Sequence, residues 1–167
     1  MKDQEYYFHQ SPPLLCKDII SNIPFNQDDV LLEPFAGENG FYDNFPGDIQ
    51  RHRCEIEDGL DFRDFDYEGT NVNTIITNPP FRIDNKNAFF DILLFFAKIR
   101  HIKKMYILCS AICFESLTPI RMFKLNEAGI YLNKITCVNV KKWRGRYYIC
   151  YFSRIYNDSF DYYLRIY

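Results

Sequence analysis

Short apolar runs and amphipathic stretches alternate along this chain of 167 residues. Aliphatic and β-branched runs bounded by polar residues are typical of buried strands, whereas apolar residues spaced three and four apart are typical of helices. The strongest amphipathic helix is predicted over residues 88–100, and a β-hairpin with arms at residues 135–140 and 147–151. The other predicted strands cover residues 30–33, 52–56, 73–77 and 105–110.

Capping residues predict where two helices begin and end. Ser11 is a favoured N-cap residue and the two prolines after it fit a first helical turn, so a helix is predicted from there to about residue 22. Thr118 followed by Pro119 predicts the start of another helix, and Gly129 predicts its end.

The order of these elements predicts an α/β fold. Strands that alternate with helices and end in a hairpin indicate a mostly parallel sheet with an antiparallel C-terminal strand. No repeat or low-complexity linker divides the chain, so one domain is predicted over residues 1–167. The polar and aromatic tail, residues 157–167, has no period that assigns it to an element.

Composition narrows the class of protein. A hydrophobic fraction of 47% and an aromatic fraction of 18% exclude a disordered chain. The apolar runs are too short to span a bilayer and the polar N-terminus shows no signal peptide, so no membrane partner is expected. The six cysteines lack the paired spacing of a zinc site, which indicates free thiols in a reducing cytoplasm and no metal.

The net charge of −2 hides an asymmetry between the two halves of the chain. Residues 1–80 carry 16 acidic and 5 basic side chains, whereas residues 81–167 carry 6 acidic and 15 basic ones. This split suits a basic surface for a polyanion beside an acidic pocket for a cation, with two solvated faces as the alternative.

Two loops that follow predicted strands carry the candidate chemistry. In the first, two glycines let a ligand approach the backbone, and two carboxylates suit a cationic ligand better than a pyrophosphate. In the second, two prolines stop a strand and present an amide and an aromatic ring at its carboxyl end. The alternatives are an ordinary strand–helix junction and a turn without a catalytic role. The residues are Glu33, Pro34, Phe35, Ala36, Gly37 and Gly40 in the first loop and Asn78, Pro79, Pro80 and Phe81 in the second.

With both motifs in this order, the chain resembles class I S-adenosylmethionine-dependent methyltransferases, and most of all those that methylate N6 of adenine in DNA. Gln10 and Ser11, placed before two prolines, resemble the family's N-terminal motif, which lines the carboxylate end of the cofactor. The resemblance covers most of residues 6–153 and implies a Rossmann-like fold with S-adenosylmethionine as cofactor. It is weaker for the substrate, because RNA and protein-amide methyltransferases carry related motifs.

The resemblance also implies roles for three acidic positions. Glu33 matches the acid near the methionine moiety, and Glu55 matches the carboxylate that accepts the ribose hydroxyls. Asp61 and Phe62 match the pair that bonds to and packs on the adenine ring. The rival positions are Glu57 for the ribose and Asp64 for the adenine.

Asn78 is expected to activate the acceptor amine, whose lone pair is delocalised into its ring. The Asn78 side-chain oxygen and the Pro79 carbonyl can accept hydrogen bonds from the two N–H groups of the amine, which frees its lone pair to face the methyl group of the cofactor. Catalysis is then mainly positioning with electrostatic help. Phe81 is expected to stack on the target base for about 1–3 kcal/mol, and a base in a duplex must first flip out.

A basic segment around Trp143 is predicted to contact nucleic acid, because it combines cations with a ring that can stack on a base. A solvated hairpin tip with the indole packed on the body is the alternative. The candidate residues are Arg82, Lys141, Lys142, Trp143, Arg144 and Arg146.

The chain departs from the family in length. Only 44 residues separate Glu33 from Asn78, so the helices of that half are predicted to be short or missing. DNA or RNA is the expected substrate. The chain leaves no room for a separate target-recognition domain, so a specificity subunit or a homodimer is the expected source of recognition. An inactive methyltransferase-like protein that binds nucleic acid or a partner is the remaining alternative.

Overall fold

The computed structural model describes residues 10–83, 86–140, 143–157 and 161–166. The strands are β1 (Leu31–Glu33), β2 (Arg51–Arg53), β3 (Thr74–Thr77), β4 (Arg82–Ile83), β5 (Lys86–Asn87), β6 (Lys104–Ser110), β7 (Tyr131–Asn139), β8 (Tyr147–Ser153) and β9 (Asp161–Ile166). The helices are α1 (Pro13–Ser21), α2 (Tyr67–Thr70), α3 (Phe89–Lys98), α4 (Ala111–Glu115) and α5 (Pro119–Glu127), with 3₁₀ turns at Tyr42–Asn44 and Ile56–Asp58.

Within the described residues, seven strands form one sheet in the order β2-β1-β3-β6-β8-β7-β9. The first four of these are parallel neighbours. β8 is antiparallel to both β6 and β7, and β9 lies parallel to β7 at the edge. β4 and β5 form a separate two-stranded hairpin. The predicted α/β fold, with a mostly parallel sheet and an antiparallel C-terminal strand, is confirmed.

Apolar layers cover the two faces of the sheet. Because successive strand residues point to opposite faces, Leu32 and Ile75 belong to one layer and Leu31 and Ile76 to the other. The first layer is completed by α3 and the end of α5, and the second by α1 and the loop around Phe41. Each fully buried large side chain contributes about 1.5–3 kcal/mol, so these layers hold the strand ends in place.

The predicted helix ends are partly correct. Thr118 caps α5, since its Oγ1 accepts a hydrogen bond from the backbone N–H of Arg121, and Gly129 follows the helix with φ of 75°. The prediction that Ser11 caps α1 is wrong, because Pro12 occupies the N-cap position without a side-chain bond. The Ser11 hydroxyl instead accepts a hydrogen bond from Asn78.

The connections between β1 and β3 are short, as the spacing predicted. They contain the two 3₁₀ turns and the single helical turn of α2. The tail that the sequence left unassigned adds β9 to the sheet edge, and β4, β5 and α4 were also not predicted. Among the helices of the described segments, none has the length and apolar character needed to cross a membrane.

Candidate active site

Both sequence motifs lie at the carboxyl edge of the parallel strands. Glu33 ends β1, Glu55 follows β2 by two residues, and Asn78 follows β3 directly. The register pairs Glu33 with Arg53 across β1 and β2 and Leu32 with Ile75 across β1 and β3. The carboxyl edge of an open α/β sheet is where ligands bind, so this arrangement forms a candidate active site.

Glu33 is a buried acid at the centre of this edge, with 2% of its surface exposed. Its Oε2 accepts a hydrogen bond from the backbone N–H of Tyr42 at 2.7 Å, and its Oε1 accepts one from Phe41 at 3.4 Å. Burial raises the pKa of Glu33 from 4.5 to about 8, against the opposing effect of those two bonds. A cation placed beside Glu33 would stabilise the ionised form.

The loop after Glu33 turns tightly and brings backbone close to other chain segments. Gly37 has φ of 49° and Asn39 has φ of 63°, both left-handed conformations. A Cβ on Gly37 would lie 3.2 Å from the side chain of Gln10, and a Cβ on Gly40 would lie 3.1 Å from Cys16 Sγ. Within this loop, Pro34 and Ala36 are buried, and Phe35 is half-buried.

Glu55 reaches back to this loop. Its Oε2 accepts a hydrogen bond from the backbone N–H of Gly37 at 2.6 Å, and its Oε1 accepts one from Glu57 at 3.4 Å. Glu57, the rival position, is exposed, and its backbone N–H donates a hydrogen bond to the Glu55 carboxylate. The geometry therefore favours Glu55 over Glu57 as the carboxylate of the candidate site.

Asp61 is held by Arg63, a contact that the sequence analysis missed. The Arg63 guanidinium donates to both Asp61 oxygens, at 2.9 and 2.6 Å, and this bonding lowers the pKa of Asp61. Phe62 is buried, with its ring centroid 4.8 Å from that of Phe35. The rival Asp64 is exposed. The spacing of Asp61 and Arg63, two residues apart with opposite charges, was the signal available in the sequence.

Asn78 is half-buried and its Nδ2 donates a hydrogen bond to Ser11 Oγ at 3.2 Å. Pro79 is buried, whereas Pro80 and Phe81 are half-buried. Phe81 packs against both apolar layers and leads into the β4–β5 hairpin, which exposes Arg82.

Residues 10–11 connect the two motifs. Gln10 Oε1 accepts a hydrogen bond from the backbone N–H of Glu38 at 3.4 Å, while Ser11 contacts Asn78. Cys16, which the sequence analysis did not single out, is fully buried beside Gly40. Burial and the nearby Glu33 carboxylate raise the pKa of its thiol to about 12, so the thiol is neutral at physiological pH.

Part of the predicted basic segment lies at the same edge. β7 is parallel to β6, so the turn after β7 lies at the carboxyl edge, and the backbone N–H of Ala111 donates to the Arg146 carbonyl at 2.8 Å. Trp143 packs on Tyr147, with ring centroids 4.4 Å apart, whereas Arg144 and Arg146 are exposed. Lys141 and Lys142 lie outside the described residues.

A surface depression of about 480 Å³ lies beside α2 and the end of α3. It is lined by Phe65, Asp66, Tyr67, Glu68, Phe95, Lys98, Ile99 and Arg100. None of these residues belongs to the motifs above, and the carboxyl edge remains the better candidate because it joins the buried acid Glu33 and the half-buried Glu55 to the Asn78 amide. In the described parts of the chain, no cluster of three or more His, Cys, Asp or Glu side chains could hold a metal ion.

Solved structures share this fold. DNMT2 of Spodoptera frugiperda, in a triple-mutant form, matches with a TM-score of 0.50 and 18% identity over 92% of this chain and 51% of that one. The M protein of the type I restriction enzyme EcoKI matches with a TM-score of 0.50 and 15% identity over 87% of this chain and 44% of that one. A protein of Listeria monocytogenes described as a class I S-adenosylmethionine-dependent methyltransferase matches with a TM-score of 0.51 and 13% identity over 92% and 62%.

This chain spans roughly half the length of these proteins, and the low identities make the similarity one of fold. No protein-family model matches the sequence. No curated protein sequence matches it either. The strand order and these matches together show that the chain has a Rossmann-like α/β fold of the class I methyltransferase type.

Proposed function

We propose that this protein transfers a methyl group from S-adenosylmethionine to an exocyclic amino nitrogen, with N6 of adenine in DNA as the first candidate. The observation that carries the proposal is the register that brings Glu33, Glu55 and Asn78 to one edge of a methyltransferase-type sheet. Acids there suit a cationic methyl donor, and an amide suits an amine acceptor.

The side chains at this edge fit S-adenosylmethionine, whose sulfonium and ammonium groups are both cationic. Glu33 is buried, and the Asn39 side-chain oxygen is buried without a hydrogen-bond partner among the described residues, so it can accept from an ammonium. Glu55 keeps lone pairs beyond its bond to Gly37 and can accept from ribose hydroxyls, while Asp61 can accept from the adenine amine. When bound, the cofactor supplies a methyl group on a sulfur that takes up the electron pair of the broken bond.

Asn78 and Pro79 supply the acceptor half of the reaction. The Asn78 side-chain oxygen and the Pro79 carbonyl accept hydrogen bonds from the two N–H groups of the amine. These bonds turn the lone pair of the amine toward the methyl group. The amine forms the new nitrogen–carbon bond and loses one proton to solvent. Phe81, half-buried at the end of the motif, provides a ring on which the base stacks.

Exposed cations support a nucleic acid as the substrate. Arg82 is exposed in the β4–β5 hairpin that follows β3, and Arg144 and Arg146 are exposed in the turn that follows β7. The carboxyl ends of β3 and β7 lie at the edge that carries Asn78. Such a group of cations can bind phosphates on either side of a flipped base. We further propose a specificity subunit or a second copy of the chain as the partner that selects the sequence.

A second candidate is a protein of this fold that binds nucleic acid or a partner without catalysis. The short connections between β1 and β3 favour it, because they leave less structure around the cofactor side of the site. RNA bases and protein amides are the other acceptors that the same amide could serve.

Calorimetric titration with S-adenosylmethionine tests the cofactor half of the proposal. We expect the wild-type protein to bind and Glu33→Ala to weaken binding by about tenfold, which is about 1.4 kcal/mol. The matched control is Glu57→Ala, which removes an exposed acid from the same edge and is expected to leave binding within about twofold. A wild-type protein that does not bind S-adenosylmethionine would exclude methyl transfer to DNA, RNA or protein. The non-catalytic protein that binds nucleic acid or a partner would then be the remaining candidate.

A further inference from the structure

The bond between Asn78 and Ser11 selects one orientation of a side chain that has two. Asn78 Nδ2 donates to Ser11 Oγ at 3.2 Å, across 67 positions of sequence. A carboxamide offers acceptor lone pairs at its oxygen and donor hydrogens at its nitrogen. A 180° flip of the Asn78 amide would therefore present hydrogens to an amine that needs acceptors.

Ser11 lies beside the first motif, close to the buried Cys16 thiol next to Gly40. Its hydroxyl lowers the pKa of Cys16 against the larger effect of burial. In the contact with Asn78 the Ser11 oxygen is the acceptor and the amide nitrogen is the donor, so the Asn78 oxygen is turned away from Ser11.

The backbone of Ser11 is held against the first motif. Its carbonyl oxygen and Cβ lie 3.6 and 3.9 Å from the position that a Cβ on Gly40 would take. The preceding Gln10 side chain accepts from the backbone of Glu38. The loop that follows Glu33 and the hydroxyl that contacts Asn78 are therefore direct neighbours.

We propose that Ser11 is a positioning residue, which orients the Asn78 carboxamide so that its oxygen faces the acceptor amine. This inference rests on the proposed function, and it assigns the Ser11 hydroxyl to the acceptor half of the site rather than to the cofactor. It also makes residues 10–11 a physical connection between the cofactor loop and the acceptor loop.

Steady-state kinetics separates a positioning role from a cofactor-binding role. We expect Ser11→Ala to lower kcat about tenfold while KM for S-adenosylmethionine stays within about twofold, since the loss of one oriented hydrogen bond affects the acceptor step. Ser11→Thr keeps the hydroxyl and should restore most of kcat. A Ser11→Ala variant that raises KM for the cofactor with unchanged kcat, or a Thr variant as slow as Ala, would overturn the inference.

A double-mutant cycle isolates the orientation effect. In Asn78→Asp both carboxylate oxygens are acceptors, so the flip no longer matters and Ser11→Ala should change the remaining kcat by less than about twofold. A full tenfold loss in that background would show that Ser11 acts by another route.

A readout without turnover keeps this inference separate from the proposed function. The two amide hydrogens of Asn78, assigned in NMR spectra by their disappearance in Asn78→Asp, should exchange with solvent several-fold faster in Ser11→Ala than in wild type. Unchanged exchange would overturn the inference even if the protein is active. If the Asn78 amide hydrogens exchange more slowly in wild type than in Ser11→Ala but wild type methylates no acceptor, the proposed function is overturned. The Ser11–Asn78 contact would still be supported.

Discussion

Glu33 is a buried acid whose ionised form a bound cation would stabilise. Its carboxyl is buried at the end of β1 and bonded to two backbone N–H groups, yet burial still raises its pKa to about 8. The protein therefore holds a proton there that the unfolded chain would release. A cation that binds beside Glu33 replaces this proton, so ligand affinity should increase as pH rises toward 8.

Stability against pH tests this description of Glu33. The folded protein binds more protons than the unfolded chain between pH 4.5 and about 8, so Glu33 makes the free energy of unfolding fall as pH rises through that window. We expect Glu33→Gln to remove this decline, which is on the order of a few kcal/mol. Urea denaturation of both proteins at several pH values between 5 and 8.5 measures it. Parallel curves for the two proteins would contradict the assignment.

The residues at this edge differ in how far the sequence could predict them. Glu33 and Asn78 were predicted because each directly follows a β-branched or aliphatic run, and strand ends are readable from local pattern. The Ser11–Asn78 bond was not predicted, since it joins residues 67 positions apart that only the fold brings together. The local capping preference of serine predicted that Ser11 caps α1, whereas in the structure its hydroxyl bonds to the distant Asn78.

Arg154 joins two helices to the sheet. Arg154 follows β8, and its guanidinium donates hydrogen bonds to carbonyls at the carboxyl ends of α3 and α5 and in the segment between α3 and β6. A cation at the carboxyl end of a helix also complements the helix dipole. The accepting carbonyls, at 2.7–3.4 Å, are those of Ala97, Ile99, Ile102, Ala128 and Gly129. One side chain therefore bonds to backbone at the carboxyl ends of both helices.

We expect Arg154→Ala to lower the free energy of unfolding by about 3 kcal/mol, because several charge-assisted hydrogen bonds are lost together. Arg154→Lys keeps the charge but not the planar fork and should fall between wild type and Ala. Arg53→Ala is the control, since it removes a half-buried arginine whose ion-pair partner Asp58, at 2.6 Å, is exposed, and it should cost less than about 1 kcal/mol. Equal losses for Arg154→Ala and Arg53→Ala in denaturant unfolding would contradict this account.

The turn between β7 and β8 can be tested as a phosphate contact. Replacing both Arg144 and Arg146 by Ala should weaken DNA binding and reduce the slope of log affinity against log salt by up to about 2. The matched control replaces Lys98 and Arg100, exposed cations at and just after the end of α3, and should leave the slope unchanged. An unaltered slope in the Arg144 and Arg146 variant, measured by fluorescence anisotropy across salt, would exclude the turn from the interface.

Elements with strong local chemistry were predicted well, and those defined by distant pairing were not. Thr118 and Pro119 begin α5 as their capping chemistry requires. The tail gave no prediction because β9 is fixed by its parallel register with β7, in which Asp161 pairs with Lys134. Strand propensity depends strongly on such neighbours, so a terminal edge strand is difficult to recognise from its own residues.

At the scale of the whole molecule, the charge asymmetry follows the order of the sheet. The acidic half of the sequence builds the side with β2, β1 and β3, and the basic half builds the side with β6, β8 and β7. The two halves meet at β3 and β6, next to Asn78. The acidic half can attract a cationic ligand and the basic half a polyanion, and salt screens the repulsion between the acidic side chains and the polyanion beyond about 10 Å.

Transfer of a labelled methyl group tests the central claim most directly. Wild-type protein and Asn78→Ala are each incubated with labelled S-adenosylmethionine and separate pools of DNA, RNA and protein, and cofactor affinity is measured alongside. We expect label on adenine N6 of DNA with wild type, and at least a hundredfold less with Asn78→Ala at nearly unchanged cofactor affinity. No label in any pool, or equal transfer by wild type and Asn78→Ala, would contradict the account.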